Sequence, residues 1–468
     1  MSSQLWNMTA IELARAIASR EVSSGEVIDA HLARIEEVNP KLNAVVRVLG
    51  DDARNAADRA DQAVRNGDVL GPLHGVPITI KENIDLAGTP TTSAVAAMAE
   101  AVAPMDAPVV ERMKAAGAIP MARTNLPDMG LRVTTESSLY GITRNPHHPD
   151  RTVGGSSGGE ASAIASGMSP LGLGNDVGGS LRNPAHACGI SSIRPTGGVV
   201  PMANAIPPED HPISYQLMLT EGVMARAVAD VALGFGVVRG AHPRDPVSFD
   251  AVLPDLDDSE RVTIAVMAEP PGTPTHPEVA AGVRRVADVL AAQGHDVVEA
   301  TPPDFELVCE LWLAVLNSDI EVMLPLLEAV MGDDAVRFLT LARSQTPHPT
   351  VESIAMTHIE RNRVMRAWSM WHQSHEFLLA PVWTQPPFEH SADIADEASA
   401  LATLDMLRPV MPSNLMGTPA VVIPGGVADG SPTGVQIIGW RNSDVRCLAL
   451  GAQAQSVLGV PAAIDPKW

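Results

Sequence analysis

Residues 141–200 constrain the fold most. Over sixty positions Gly, Ser, Pro and Asn crowd together and regular hydrophobic periodicity fades. A compact domain does not hold an idle loop of this length, and segments that break the rule are usually functional. The stretch must therefore be packed against the rest of the chain. One piece, "EASAIASGM" (160–168), reads as a helix of small residues able to approach its neighbours closely. Hydrophobic residues make up 45% of the chain but aromatics only 3%, so the core that receives it is mostly Ala, Val, Leu, Ile and Met.

On both sides of this stretch, helical patterns alternate with short apolar runs. Thr9 with Glu12 forms a capping-box pattern. Ser24 is the expected cap of a helix whose apolar positions run from Val27 to Val38, with Asn39-Pro40 as its end. Residues 51–66 form an Ala-rich helix closed by Asn66-Gly67, and 107–118 a helix ended by Gly117. "VPITI" (76–80) and "IPMAR" (119–123) read as buried strands, as do 261–267, 377–382 and 420–426, with a helix over 277–293. This alternation predicts an α/β fold with a sheet covered on both faces. No repeat or linker divides the 468 residues, so one large domain is expected over 1–468, with helices 9–66 packed on its core.

The net charge of −23 would repel phosphates and anionic lipid, which argues against nucleic acid and membrane surfaces as partners. The three cysteines, Cys188, Cys309 and Cys447, form no CxxC and speak against a disulfide framework or structural zinc. The first twenty residues lack a basic segment followed by an apolar one, so no signal peptide is expected. No uncharged apolar run reaches about 18 residues. The expectation is a cytoplasmic protein.

Three short stretches carry chemistry. In "DVGGS" (176–180), glycines before Ser180 let backbone N–H groups point at one oxyanion without Cβ clashes. Such preorganised donors are a large term in acyl transfer. A serine hydroxyl needs a base, and Lys81, ending the apolar "VPITI" run, could serve if burial lowers its pKa. "GGSSGGE" (154–160) supplies further hydroxyls. Taken alone it reads as a turn; it lacks the Lys of a phosphate-binding P-loop. Residues 154–158 also match GxSxG, the nucleophile elbow of another hydrolase fold, with Ser156 as nucleophile. His147 and His148 precede Pro149 in an expected surface turn; His186 is a third candidate base that the chemistry does not need.

Together these stretches closely resemble the amidase signature family. The resemblance rests on "GPLHGVPITIKENIDLAGTPTT" (71–92), "RTNLPDMG" (123–130), residues 140–190 and "PAVVIPGGVADGSPTGVQIIG" (419–439). Ser156 follows Lys81 by 75 residues and precedes Ser180 by 24, as in the family. The resemblance implies a single α/β/α domain with a central mixed, twisted sheet. It implies a Ser–cis-Ser–Lys triad with Ser180 as nucleophile, Ser156 as cis-peptide relay and Lys81 as base. The N–H groups of Val177, Gly178, Gly179 and Ser180 would form the oxyanion hole, and Gly130 would lie near the carbonyl end of the acyl pocket. Asp176 and Arg182 are expected to pair and position the loop, and Ser157 to hydrogen-bond within the network rather than attack.

Neither a cofactor nor a metal is expected. The implied substrate is a small-molecule amide hydrolysed by a stand-alone amidase that could also accept esters. Alternatives are a carbamate (urethane) hydrolase, a glutaminase subunit of an amidotransferase, and a catalytically silent binding protein. A homodimer is left open. The chain departs from the family at Asn175, where Thr is common, and at Gly197 and Val199 in "RPTGGV" (194–199), where an aromatic residue and an Arg are usual. Residues 201–222 and 300–375 are expected to form the substrate-determining walls.

Overall fold

The computed structural model describes residues 2–207, 209–257, 260–466 and 468. Its strands are β1 (Val45–Val48), β2 (Pro77–Lys81), β3 (Ile119–Thr124), β4 (Glu136–Ser137), β5 (Gly141–Ile142), β6 (Leu171–Asp176), β7 (Ser191–Arg194), β8 (Thr220–Ala225), β9 (Thr263–Val266), β10 (Asp296–Glu299), β11 (Phe377–Pro381), β12 (Ala420–Ala428) and β13 (Ser431–Gly439). β4 and β5 pair as a small ribbon, and the other eleven form one sheet in the order β1-β3-β2-β6-β8-β7-β12-β13-β11-β9-β10. The sheet is mixed: β2 runs parallel to β3 and β6, whereas β8, β7 and β12 are joined by antiparallel pairings.

Alternate residues of a strand face opposite sides of a sheet, and here both sides are buried. Leu379, Val421 and Ile423 enter one core with the helices Ala10–Ala18, Pro108–Ala115, Val228–Val238, Pro277–Ala292 and Asp444–Leu458. Their neighbours Leu378, Ala380, Ala420 and Val422 enter a second core with the helices Gly158–Ala165, Arg182–Cys188, Phe305–Val330 and Val351–Trp371. The small residues of Gly158–Ala165 are all buried. A third cluster packs the helices Ser24–Leu42 and Gly50–Asn66 against Ile119, Met121 and Ala122 of β3. Asp230 accepts from the backbone amides of Ala10 and Ile11, both at 3.0 Å, tying the first helix to the core.

Two local expectations change. Ser23, not Ser24, caps the second helix, accepting from Glu26 N; the Ser24 hydroxyl instead donates to the Gly75 carbonyl at 2.9 Å. That helix passes through Pro40 and ends at Leu42, because Asn43 takes the left-handed conformation (φ 52°) that stops helices. Residues 300–375, expected as pocket wall, hold three helices: Phe305–Val330, Asp333–Ala342 and Val351–Trp371. No helix among the described residues is long and apolar enough to cross a membrane. Cys188, Cys309 and Cys447 are free thiols.

Candidate active site

Lys81 ends β2 and Asp176 ends β6. These strands are parallel neighbours, with Thr79 opposite Gly172 and Ile80 opposite Leu173. Both residues therefore reach the carboxyl edge of the sheet, where open α/β sheets place their ligands. Two glycine-rich turns close over this edge, residues 154–157 before the helix at Gly158 and 177–181 before the helix at Arg182. The Gly155–Ser156 peptide bond is cis. The turns are tied together: Ser157 N–H donates to the Ser180 carbonyl at 3.2 Å. Asn183 Nδ2 donates to the carbonyls of Gly155 (3.2 Å) and Gly178 (3.0 Å), and Trp383 Nε1 holds Asn183 Oδ1 at 2.9 Å.

Lys81 Nζ lies 2.7 Å from Ser156 Oγ and 2.7 Å from Asn175 Oδ1. Asn175 is oriented in turn, its Nδ2 donating to Asn83 Oδ1 at 3.0 Å. The departure at Asn175 thus touches the amine itself. Burial lowers the Lys81 pKa to about 7, with Asp176, Glu160 and Glu221 at longer range opposing the fall. Glu160 was not anticipated from sequence. It sits fully buried, accepting from the hydroxyls of Thr79 and Thr124, and burial pushes its carboxyl up to about 7.

Asp176 and Arg182 are fully buried, not surface charges, and pair at 3.0 and 3.1 Å. Burial alone would raise the Asp176 pKa, but Arg182, Arg194 and Asn414 hold the carboxyl well below the usual range. Its oxygens also accept from Gly179 N (2.7 Å), Leu181 N (3.2 Å) and Asn414 Nδ2 (2.8 Å). Arg182 spends its remaining N–H groups on the Val410 carbonyl, Gln436 Oε1 and Asn414 Oδ1. The loop before Ser180 is therefore clamped from within. One consequence differs from expectation: the Gly179 amide is taken by Asp176, which leaves Val177, Gly178 and Ser180 as the donors of this turn. Gly179 sits at φ 92°, and a Cβ on Gly178 would lie 2.6 Å from the Trp312 ring, so both positions require glycine.

Ser180 opens onto a cleft of about 640 Å³. Val177, Gly178 and Gly130 line it beside the nucleophile candidate, and Trp312, Leu316, Ile320, Phe338, Leu339 and Leu404 form its wall. A Cβ on Gly130 would come 3.4 Å from Ser156 Oγ, so this glycine keeps room beside the hydroxyl. Trp312 Nε1 donates to the Val177 carbonyl at 3.0 Å and fixes wall to turn. The cations at its margin are neutralised: Arg132 pairs with Asp393 at 2.7 Å and Arg343 with Glu321. Ser157 turns away, with Oγ 3.4 Å from the Asn175 carbonyl.

The histidines stand apart from this arrangement. His186 is fully buried, accepts from Gly434 N at 3.0 Å, and is held neutral by burial, its pKa lowered to about 3. His147 bonds the Cys188 carbonyl at 3.0 Å, and the His148 ring accepts from Asp150 N at 3.3 Å. No strand leads into Ser156, so the strand–turn–helix of a nucleophile elbow is missing there. Arg194 and Val199 are buried structural residues, and Gly197 N donates to the Gly417 carbonyl at 3.1 Å.

The sequence matches the Amidase family over residues 26–448, and the chain belongs to that family. An indoleacetamide hydrolase from Bradyrhizobium diazoefficiens is 37% identical over 463 residues, covering 98% of this chain and 88% of the relative. One subunit of a glutamyl-tRNA(Gln) amidotransferase from Synechococcus is 32% identical, with 97% of each chain covered. The solved structure of 6-aminohexanoate cyclic dimer hydrolase superposes with a TM-score of 0.84 at 30% identity over 99% of both chains. The protein is a hydrolase of amide C–N bonds, built on the mixed sheet of this family.

Proposed function

We propose that the chain hydrolyses small carboxylic amides through an acyl-enzyme on Ser180, with Ser156 as proton relay and Lys81 as base. The observation that carries this reading is the 2.7 Å contact between a fully buried Lys81 and Ser156 beside the Ser180 turn. Neutral Lys81 accepts the Ser156 proton while Ser156 takes that of Ser180. Ser180 Oγ then attacks the carbonyl carbon, and charge developing on the carbonyl oxygen is met by the free amides of the 177–180 turn. The proton returns through Ser156 to the leaving nitrogen, and water releases the acyl group by the same path reversed.

The apolar lining of the cleft favours an apolar, ring-bearing or long-chain acyl group. This agrees with an arylacetamide-type substrate such as the one named for the indoleacetamide hydrolase relative. Esters and carbamates are admitted by the same acyl-enzyme chemistry. A serine-reactive phosphonyl fluoride should label Ser180, and a screen of arylacetamides, aliphatic amides, anilides and carbamates should show turnover of amides. An adduct on Ser156, or none on an intact protein, sinks the reading.

A further inference from the structure

A second cleft, of about 870 Å³, lies beside the first. Leu131 lines both clefts, and Asn175, which holds the amine, lines the second. Like the first it has apolar walls, but it also carries a cluster of acidic side chains. The acidic side chains on its wall are Asp85, Asp210 and Glu221, joined by His211 and the amides of Asn83, Asn175 and Asn204, with no Lys or Arg among the described lining residues. Glu221 stands out: it is 5% exposed, yet its Oε2 has no hydrogen-bond partner. Asp85, by contrast, accepts from Ala205 N at 2.6 Å. A buried carboxyl oxygen without a partner is costly unless a ligand supplies one.

We infer that this cleft is a leaving-group subsite that recognises an ammonium carried by the amine half of the substrate, with Glu221 as its partner. The inference rests on the amidase reading of Ser180. The leaving nitrogen must receive its proton from Ser156, and the amine half then extends past Leu131 and Asn175 into the acidic cleft. The acyl half stays in the apolar cleft with Ser180. Burial, with Asp85 and Asp245 adding to it and Lys81 opposing, pushes the Glu221 carboxyl up to about 8. A bound ammonium reverses that balance and favours the carboxylate. The favoured substrates are therefore mono-amides of diamines, and amines bearing a carboxylate are excluded by like charge.

The test compares two phenylacetyl amides of matched length, one of butane-1,4-diamine and one of n-pentylamine. Wild-type kcat/KM should favour the diamine amide by about tenfold or more, the value of one charge-assisted contact. Glu221→Gln should bring the ratio toward one, and Glu221→Asp should restore part of it. A wild-type ratio of one or less, or a ratio unchanged by Glu221→Gln, overturns the inference; the wild-type ratio decides alone if the variant does not fold. Should neither amide be hydrolysed and Ser180 resist phosphonylation, the amidase reading fails instead. Calorimetry then judges the subsite separately: butane-1,4-diamine should bind Ser180→Ala and lose that affinity when Glu221→Gln is added, and absence of binding to Ser180→Ala overturns it.

Discussion

Lys81 closes β2 and Asp176 closes β6, side by side at one edge of the sheet, and neither has any solvent exposure. Burial disfavours the charged form of both. Asp176 nevertheless stays ionised, because a paired guanidinium, an Asn amide and two backbone amides converge on it. Lys81 touches only neutral oxygens, of Ser156 and Asn175, and its carboxylate neighbours are not in contact. The same desolvation therefore leaves one group a fixed charge that shapes a loop and the other an amine that titrates near neutrality. Contact partners, not depth, separate a fixed ion from an amine that can lose its charge.

The comparison breaks first at the chemistry. Ser180→Ala should lower amide turnover by about 10⁴-fold or more with little change in thermal midpoint, since the residue lines a cleft and fills no core. Turnover near the wild-type rate would dismiss Ser180 as nucleophile. Lys81→Met should cost about 10² to 10⁴ in kcat/KM on amides, the range of general base catalysis, and less on the matching esters, whose leaving group needs the proton less. Equal losses on both substrates would remove its role in protonating the leaving amine.

Stability should separate the two residues in the opposite sense. Arg182→Met strands a buried carboxylate and should cost about 3–5 kcal/mol in denaturant unfolding. Lys81→Met removes a desolvated amine and should cost far less. Similar losses for the two variants would mean that contact partners do not distinguish them.

The pH profile tests the titration directly. A base acts only when neutral, so kcat/KM on a non-ionising amide should fall as pH drops through about 7 and level off above it. The limb should vanish in Lys81→Met, and a wild-type profile flat to pH 5 would exclude Lys81 as the base. The smallest effect belongs to Asn175→Val. Its carbonyl oxygen accepts from Nζ and so favours the ammonium form; without it the acid limb should move to lower pH with modest loss of rate. A shift to higher pH would contradict the contact.

Much of the site was legible because its signals are local. Glycines at 178 and 179 and the serine after them, the Gly154–Gly158 run, and an apolar five-residue strand ending in Lys81 are all contiguous words. The Thr9 capping box spans four residues and forms as expected. The Ser23/Ser24 shift came from adjacent, chemically equal caps, and the run past Pro40 from an Asn that supplies the stop three residues later. The helix Val351–Trp371 escaped because its apolar residues do not mark one clean face: Val364 and Trp368 are its buried side chains, while Met356, Ile359 and Met370 are exposed.

The sequence alone determined the identity and order of the candidate reactive groups and the alternation of helices and strands, since each depends on neighbours a few positions apart. The tertiary structure decided everything that depends on which strands lie together. It set the eleven-strand order that puts Lys81 beside Asp176, and the burial of Glu160 between Thr79 and Thr124. It brought Asn414 and Gln436, more than 230 residues away, onto Arg182. It also made one wall from Phe305–Val330 and Asp333–Ala342 and the other from Asp85, Asp210 and Glu221. Ionisation follows the same division: a Lys or Asp carries one intrinsic pKa wherever it stands in the chain, and only desolvation and the partners a fold assembles move it.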